Sequence, residues 1–155
     1  MGITLVFDNI RSLHNVGAIF RSADACQVER IILTGITPCP PRPEIEKTAL
    51  GATRTVPWQY VMDIERALAE LAPSHTLYAL EQTDSADSVF SQRYQFPATL
   101  VIGHERLGVS LAALKRCSAV QIPMYGASAH SLNVATATGI TLYAMREQLN
   151  LTALA

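Results

Sequence analysis

The 155-residue sequence predicts an α/β protein, with a mostly parallel sheet that carries helices on both faces. Several short runs are apolar along their whole length, which is typical of parallel strands buried on both sides. Stretches with helical spacing alternate with these runs. Glycine and polar residues mark three junctions between them, at residues 15–21, 103–108 and 122–133. Because parallel α/β proteins bind ligands at the carboxyl ends of their strands, the junctions predict a ligand site.

The apolar runs predict strands at residues 3–7, 30–33, 76–80, 99–102 and 119–122, with a weaker strand at 56–61. Helices are predicted at residues 16–26, 63–71, 110–116 and 131–149. Asp63 begins the second of these, where an acidic side chain suits the positive helix end. Two segments are expected to be loops, the proline-rich residues 37–43 and the Ser-, Asp- and Thr-rich residues 82–95.

Composition favours one domain that associates with copies of itself. The chain is 49% hydrophobic and 16% charged, and an interface between subunits would use the surplus apolar surface. The final predicted helix carries small and apolar residues around most of its circumference, so it must lie at such an interface or be deeply buried. No repeat or linker divides residues 1–155, which indicates a single domain. No signal peptide or membrane-length apolar run is present, so a cytoplasmic protein is expected.

Several common site types are disfavoured. The three cysteines form no CxxC pair and the four histidines lack metal-ligand spacing, so no metal is expected. Residues 103–110 come close to a phosphate-binding loop, but Val109 stands where the lysine is required. No GxGxxG follows the first strand, which disfavours a dinucleotide site. Ser131 lacks a GxSxG context, which disfavours a serine hydrolase.

The three junctions resemble the motifs of one family of RNA methyltransferases. Residues 8–25 contain Asn15-Val-Gly-Ala-Ile-Phe-Arg21, and residues 100–108 read Leu-Val-Ile-Gly-His-Glu-Arg-Leu-Gly. Residues 122–143 contain Ile-Pro-Met-Tyr-Gly and Ser-Leu-Asn-Val, and residues 47–51 are similar to the family's intervening segment. The motifs occur in the right order over nearly the whole chain. The sequence therefore resembles the SpoU (TrmH-like) family of the SPOUT superfamily.

The resemblance implies S-adenosyl-L-methionine as methyl donor and an RNA ribose 2′-hydroxyl as acceptor. It also implies a SPOUT-type fold with a deep C-terminal trefoil knot, and a homodimer with its sites near the subunit contact. We expect residues 1–155 to be the catalytic domain without an appended RNA-binding domain. Transfer RNA is favoured over ribosomal RNA, because a compact enzyme needs an accessible, separately folded substrate.

The resemblance also implies catalytic roles for Arg21, Asn15, Glu105, Ser131 and Asn133. Arginine keeps its proton in proteins and is therefore a poor general base, so we expect Arg21 to fix a phosphate and stabilise the developing alkoxide. A phosphate oxygen or a transiently neutral arginine would accept the proton. Asn15 is expected to cap the following helix or to act directly. Glu105 is expected to orient Arg21, a backbone amide or substrate. Ser131 and Asn133 suit substrate ribose or helix capping.

Two further groups of residues are expected to contact ligands. The family's cofactor wall, in which apolar side chains sandwich the adenine, corresponds to Leu80, Gly103, Ile122, Met124 and Leu132. Arginines in or beside loops are expected to hold RNA phosphates, unless they are ordinary solvated charges. These arginines are Arg11, Arg42, Arg54 and Arg106.

Two other functions remain open from the sequence. The first is a non-catalytic RNA- or cofactor-binding module, against which the intact set of polar motif residues argues. The second is a methyltransferase that acts on a small molecule or a protein.

Overall fold

A computed structural model describes residues 1–154 and contains one seven-stranded, all-parallel sheet with the strand order β3-β2-β1-β6-β4-β7-β5. The predicted α/β class is confirmed. The strands are β1 (Ile3–Asp8), β2 (Arg30–Thr34), β3 (Trp58–Val61), β4 (Thr76–Leu80), β5 (Asp87–Ser88), β6 (Ala98–Gly103) and β7 (Ser118–Gln121). The helices are α1 (Leu13–Ala25), α2 (Pro43–Ala49), α3 (Ala52–Thr55), α4 (Ile64–Leu71), α5 (Leu111–Leu114) and α6 (Val134–Leu154).

The sheet separates two apolar cores. Every residue of the central strands β1 and β6 is buried, because helices cover both of their faces. Leu5 and Phe7 of β1 point into the larger core, which α1, α2 and α6 cover. Val6 points to the opposite face, against α4 and α5. This arrangement explains why the sequence of these strands is apolar without alternation.

The structure differs from the predicted elements in three segments. No helix was predicted between residues 37 and 56, yet α2 and α3 lie there. Pro43, assigned to the stiff loop, is the first residue of α2, a position where its fixed φ favours the helix and its missing N–H costs nothing. The expected loop at 82–95 contains the two-residue strand β5.

The predicted first residues of two helices are also wrong. The predicted helix at 131–149 begins at Val134, because the Asn133 side chain accepts hydrogen bonds from the amides of Ala135 (2.9 Å) and Thr136 (3.2 Å). The predicted start of α1 at residue 16 is three residues late, since Ser12 is its N-cap. Asp63 does cap α4, accepting a hydrogen bond from the Glu65 amide.

Residues 1–154 offer neither a membrane-spanning helix nor a metal-binding cluster. None of the helices there combines the length and the apolar character that a bilayer crossing requires. Within the same residues, no group of three or more His, Cys, Asp and Glu side chains could hold a metal ion.

Candidate functional site

Segments at or beside the three junctions of the sequence lie at the carboxyl ends of β1, β6 and β7. Residues 9–12, which lead into the first junction on α1, follow β1, residues 104–109 follow β6, and residues 122–133 follow β7. We call the second of these the β6 turn and the third the β7 loop. Because β1 pairs with β6, and β4 lies between β6 and β7, the junctions form one continuous rim of the sheet.

The β6 turn is a closed and tightly packed loop. The backbones of His104 and Gly108 exchange two hydrogen bonds, of 3.1 Å and 2.8 Å. The His104 ring Nδ1 accepts hydrogen bonds from the amides of Arg106 and Leu107, at 3.0 Å and 3.2 Å. At Gly103 a Cβ would lie less than 3.0 Å from backbone atoms of Gly108 and Val109, so only glycine lets the two ends of the turn approach this closely.

Glu105 projects from the β6 turn and joins it to the start of α1. Its carboxylate accepts hydrogen bonds from the backbone amides of Arg11 (3.0 Å) and Ser12 (2.9 Å) and from the side-chain amide of Asn15 (3.1 Å). Burial raises the pKa of Glu105, but the hydrogen bonds outweigh it, so the pKa lies below its ordinary value. Of the expected partners, Glu105 therefore holds backbone amides and makes no hydrogen bond or ion pair with Arg21. The Asn15 side chain is a further partner that was not expected.

Asn15 and Asn133 extend this network to α6. The Asn15 side-chain oxygen accepts a hydrogen bond of 3.1 Å from the Asn133 amide, and Asn15 is only 7% exposed. The expectation that Asn15 caps α1 is wrong, because Ser12 occupies the cap and Asn15 lies inside the helix. Asn133 is the residue that caps a helix. The hydrogen bonds that join Glu105, Asn15 and Asn133 thus link the β6 turn, α1 and the start of α6.

Two adjoining cavities lie beside this network and share four lining residues, Leu80, Glu81, Leu132 and Ala137. The first, of about 90 Å³, also contacts Ile122 and Met124 from the β7 loop. The second, of about 210 Å³, contacts Gly103 and the β6 turn as well as Ser131. All five residues of the expected cofactor wall therefore line the space formed by these two adjoining cavities. A further groove of about 540 Å³ continues along the β7 loop past Met124 and His130.

Arg21 lies away from these cavities. It is exposed on α1 and lines a groove of about 610 Å³ between α1, α2 and α6. His14, Lys47, Thr136 and Tyr143 line the same groove. Within one subunit, Arg21 therefore does not join Glu105 and Asn133, although the sequence motifs group them.

The four arginines expected to hold RNA are all exposed, but they occupy different elements. Arg11 and Arg106 lie at the rim, where the Arg11 amide donates a hydrogen bond to Glu105 and Arg106 follows Glu105 in the chain. Arg42 caps α2 and pairs with Glu44 at 3.8 Å, and Arg54 lies in α3. Helices α2 and α3 pack against α1, but neither arginine lines the groove that contains Arg21.

A protein-family model matches most of this chain. The model described as the SpoU rRNA Methylase family matches residues 2–143. The chain belongs to this family.

Curated relatives of the family are similar to this chain in sequence. The chain is 31% identical over 148 residues to the 23S rRNA (guanosine-2'-O-)-methyltransferase RlmB of Haemophilus influenzae, covering 94% of this chain and 60% of that one. The RlmB of Yersinia pestis is 33% identical over 151 residues, with 96% and 61% covered. The chain therefore spans about three fifths of the length of these relatives.

Two crystal structures superpose closely. One is the SpoU methyltransferase AviRb from Streptomyces viridochromogenes in complex with AdoMet, with a TM-score of 0.85, 28% identity, and 95% of this chain and 57% of that one covered. The other is the A. aeolicus TrmH/SpoU tRNA modifying enzyme, with a TM-score of 0.87, 28% identity, and 98% and 77% covered.

Two carboxylates beside the site of this SpoU-family chain were not identified from the sequence. Asp8, at the end of β1, is 1% exposed and accepts hydrogen bonds from the Ser110 amide (2.7 Å) and the Asn9 side chain (3.1 Å). Glu81 follows β4 and accepts hydrogen bonds from the amides of Val109 (2.8 Å) and Gln82 (3.1 Å). A signal was present at both positions, because each acidic residue directly ends an apolar strand run.

Proposed function

We propose that this chain is an S-adenosyl-L-methionine-dependent RNA (ribose-2′-O)-methyltransferase. The observation that carries the proposal is that two adjoining cavities beside the Glu105–Asn15–Asn133 network are lined by Leu80, Gly103, Ile122, Met124 and Leu132. Membership of the SpoU family supports this assignment. So do the AdoMet complex of AviRb and the names of the curated relatives, which describe guanosine-2'-O-methyltransferases.

The residues of the space fit a bound nucleoside. Leu80, Ile122, Met124 and Leu132 offer apolar surface to a flat ring, and the backbone of the β7 loop offers polar groups. Together with the groove along the β7 loop, the cavities reach the range of about 300–1,000 Å³ that is usual for ligand sites. S-Adenosyl-L-methionine would supply an electrophilic methyl group there.

The chain's own residues would prepare the acceptor. A ribose hydroxyl is a weak nucleophile and must lose its proton as it attacks, so alignment and charge stabilisation provide most of the rate. The Arg21 guanidinium is exposed and can hold a backbone phosphate in two hydrogen bonds, while stabilising the developing alkoxide. Arginine side chains keep their proton in proteins, so the guanidinium is unsuited to remove the proton of the hydroxyl. Glu105, Asn15 and Asn133 would hold the pocket edge and α1 in place, and Ser131 would offer a hydroxyl to substrate.

A homodimer would bring Arg21 towards a cofactor pocket. Arg21 is outside the pocket of its own subunit, on a groove between α1 and α6. Tyr143 (58% exposed) and Leu50 (65% exposed) supply apolar surface there, and Ala18 and Ala135 allow close approach. We place the second copy on this face, so that each site combines the pocket of one subunit with Arg21 of the other.

The acceptor RNA is proposed to be ribosomal. The preference for transfer RNA, which was based on the compactness of the chain, is not supported, and ribosomal RNA fits the curated relatives better. Arg11, Arg42, Arg54 and Arg106 are proposed to hold RNA phosphates, since all are exposed.

We also propose the deep trefoil knot of SPOUT proteins for the segment that follows β7. The sheet order supports it, because β7 is inserted between the earlier strands β4 and β5. The close superposition on SpoU-family structures over nearly the whole chain is further support.

The proposed function is tested by tritium transfer from labelled S-adenosyl-L-methionine to 23S rRNA. We expect Arg21→Ala to lose at least about a hundredfold in transfer, the order of effect seen when a charge-stabilising group is removed. Its donor affinity in calorimetry should stay within about twofold, because Arg21 does not line the pocket. Arg66→Ala, which removes an exposed arginine from α4, is the matched control and should keep full activity.

Other outcomes would select another function. Full transfer by Arg21→Ala would overturn the assigned role. Absence of donor binding by the wild type would favour the non-catalytic module. Label that survives nuclease digestion of the product would indicate a protein or small-molecule acceptor, and a gel-filtration mass of one subunit would overturn the shared site.

A further inference from the structure

Glu81 is placed between two parts of the proposed pocket. It directly follows β4, and its backbone amide donates a 3.0 Å hydrogen bond to Val120 of β7. Its side chain reaches the other way, to the amide of Val109 at the end of the β6 turn (2.8 Å). A Cβ on Gly108, whose φ is +73°, would collide with this carboxylate. Glu81 is therefore held at a fixed place in the pocket wall.

The charge of Glu81 is not neutralised by a neighbouring side chain. Its two hydrogen bonds come from neutral backbone amides, of Val109 and Gln82. Among residues 1–154, the ion pairs within 4.0 Å do not include it. A partly buried carboxylate without a cation favours any positively charged ligand that comes near it.

The surroundings of Glu81 strengthen this effect. In the smaller cavity it is the one ionisable residue among Leu80, Gln82, Ile122, Met124, Leu132 and Ala137. In the adjoining cavity it faces a second carboxylate, Glu105, together with His104 and the exposed Arg106. Apolar walls lower the local dielectric constant, so a carboxylate here acts more strongly on a ligand than it would at an exposed surface.

The ligands of the proposed reaction differ by one charge. The donor carries a sulfonium cation. When the methyl group bonds to the ribose oxygen, the electron pair of the broken sulfur–carbon bond stays on sulfur, which becomes a neutral thioether. The proton of the hydroxyl passes to a phosphate oxygen of the RNA. The product S-adenosyl-L-homocysteine is otherwise the same molecule.

From this placement we propose that Glu81 is a specificity-determining residue, which favours the cationic methyl donor over its neutral product and so promotes product release. The inference rests on the proposed function. A purely structural Glu81, which only fixed the β6 turn, would change the affinities of both ligands alike.

The experiment is calorimetric titration of the full chain with three ligands. They are S-adenosyl-L-methionine, S-adenosyl-L-homocysteine and sinefungin, whose ammonium group stands in place of the sulfonium. We expect Glu81→Gln to lower the preference for each cationic ligand over the neutral one by about five- to tenfold. Glu65→Gln, which removes an exposed carboxylate from α4, should leave the preference unchanged.

A second variant and a second measurement keep the test decisive. Glu81→Asp keeps the charge but shortens the side chain, so both affinities should fall while the preference is largely retained. Raising the ionic strength should weaken binding of the donor by the wild type more than binding of the product. The salt measurement requires no variant to fold.

Three results are distinguishable. Equal losses for all three ligands in Glu81→Gln, or no change, overturn the role of Glu81 alone. If salt weakens the binding of donor and product equally in the wild type, the role of Glu81 alone is likewise overturned. If the wild type binds none of the ligands, the proposed function fails, and the role of Glu81 fails with it.

Discussion

Replacing Gly103 with alanine should distort the β6 turn and weaken donor binding. An alanine Cβ would stand less than 3.0 Å from backbone atoms of Gly108 and Val109, whereas nonbonded carbon atoms prefer about 3.5–4.0 Å. The turn must therefore move by roughly 1 Å. The crowded atoms belong to the backbone, which cannot rotate away as a flexible side chain does. The cost should be about 3 kcal/mol, at the upper end of the usual range for overpacking.

Two measurements check this value. In a chain of 155 residues, a loss of about 3 kcal/mol lowers the Tm by roughly 6–12 °C, which a thermal melt detects. The same displacement moves one wall of the pocket, so donor affinity in calorimetry should fall at least about tenfold.

The matched control is Gly126→Ala in the β7 loop. No heavy atom lies within 4 Å of a Cβ at that position, so the free energy of unfolding should stay within about 0.5 kcal/mol of the wild type. A Gly103→Ala protein that melts within about 2 °C of the wild type would refute the reasoning, since the turn would then be free to adjust.

Two more predictions concern the side-chain network. Asn133→Ala removes the cap of α6 and the hydrogen bond to Asn15, so it should lower the free energy of unfolding in urea by about 1–2 kcal/mol. The control Ser131→Ala should lower it by less than about 0.5 kcal/mol. Equal losses of stability in the two variants would contradict the capping role. The lowered pKa of Glu105 adds stability that is fully present above its unfolded-state pKa and is lost as the pH falls through the folded-state value. The Tm difference between wild type and Glu105→Gln should therefore be constant near neutral pH and shrink in acid, and a difference that grew in acid would reverse the assigned sign.

The strands were predictable because burial on both faces leaves a plain pattern in the sequence. In β6, all residues from Ala98 to Gly103 are buried, and the apolar run shows it. The short elements were not predictable in the same way. Helices α2 and α3 have seven and four residues, too few to display helical spacing, and β5 is held to β7 by only two residue pairs.

The residues of the candidate pocket were grouped by the family resemblance, and the structure brings them to one rim because their strands end there. Their hydrogen-bond connections were not predicted. Local sequence cannot show that Glu105 reaches the amides of Arg11 and Ser12, more than ninety positions away. The distance of Arg21 from the pocket was equally hidden, since a motif orders residues along the chain and does not tell which face of α1 each one occupies.

The network of Glu105, Asn15 and Asn133 has a consequence for the order of folding. Its two side-chain contacts close separations of 90 and 118 residues, most of the length of the chain. Contacts at such separations form slowly, because closing a large loop costs conformational entropy before the contact can contribute any stabilisation. A partly folded chain that has joined β1 to β2 would therefore lack the pocket. Ligand capture should be the last property gained in refolding, and the ligand should stabilise only molecules whose α6 is already in place.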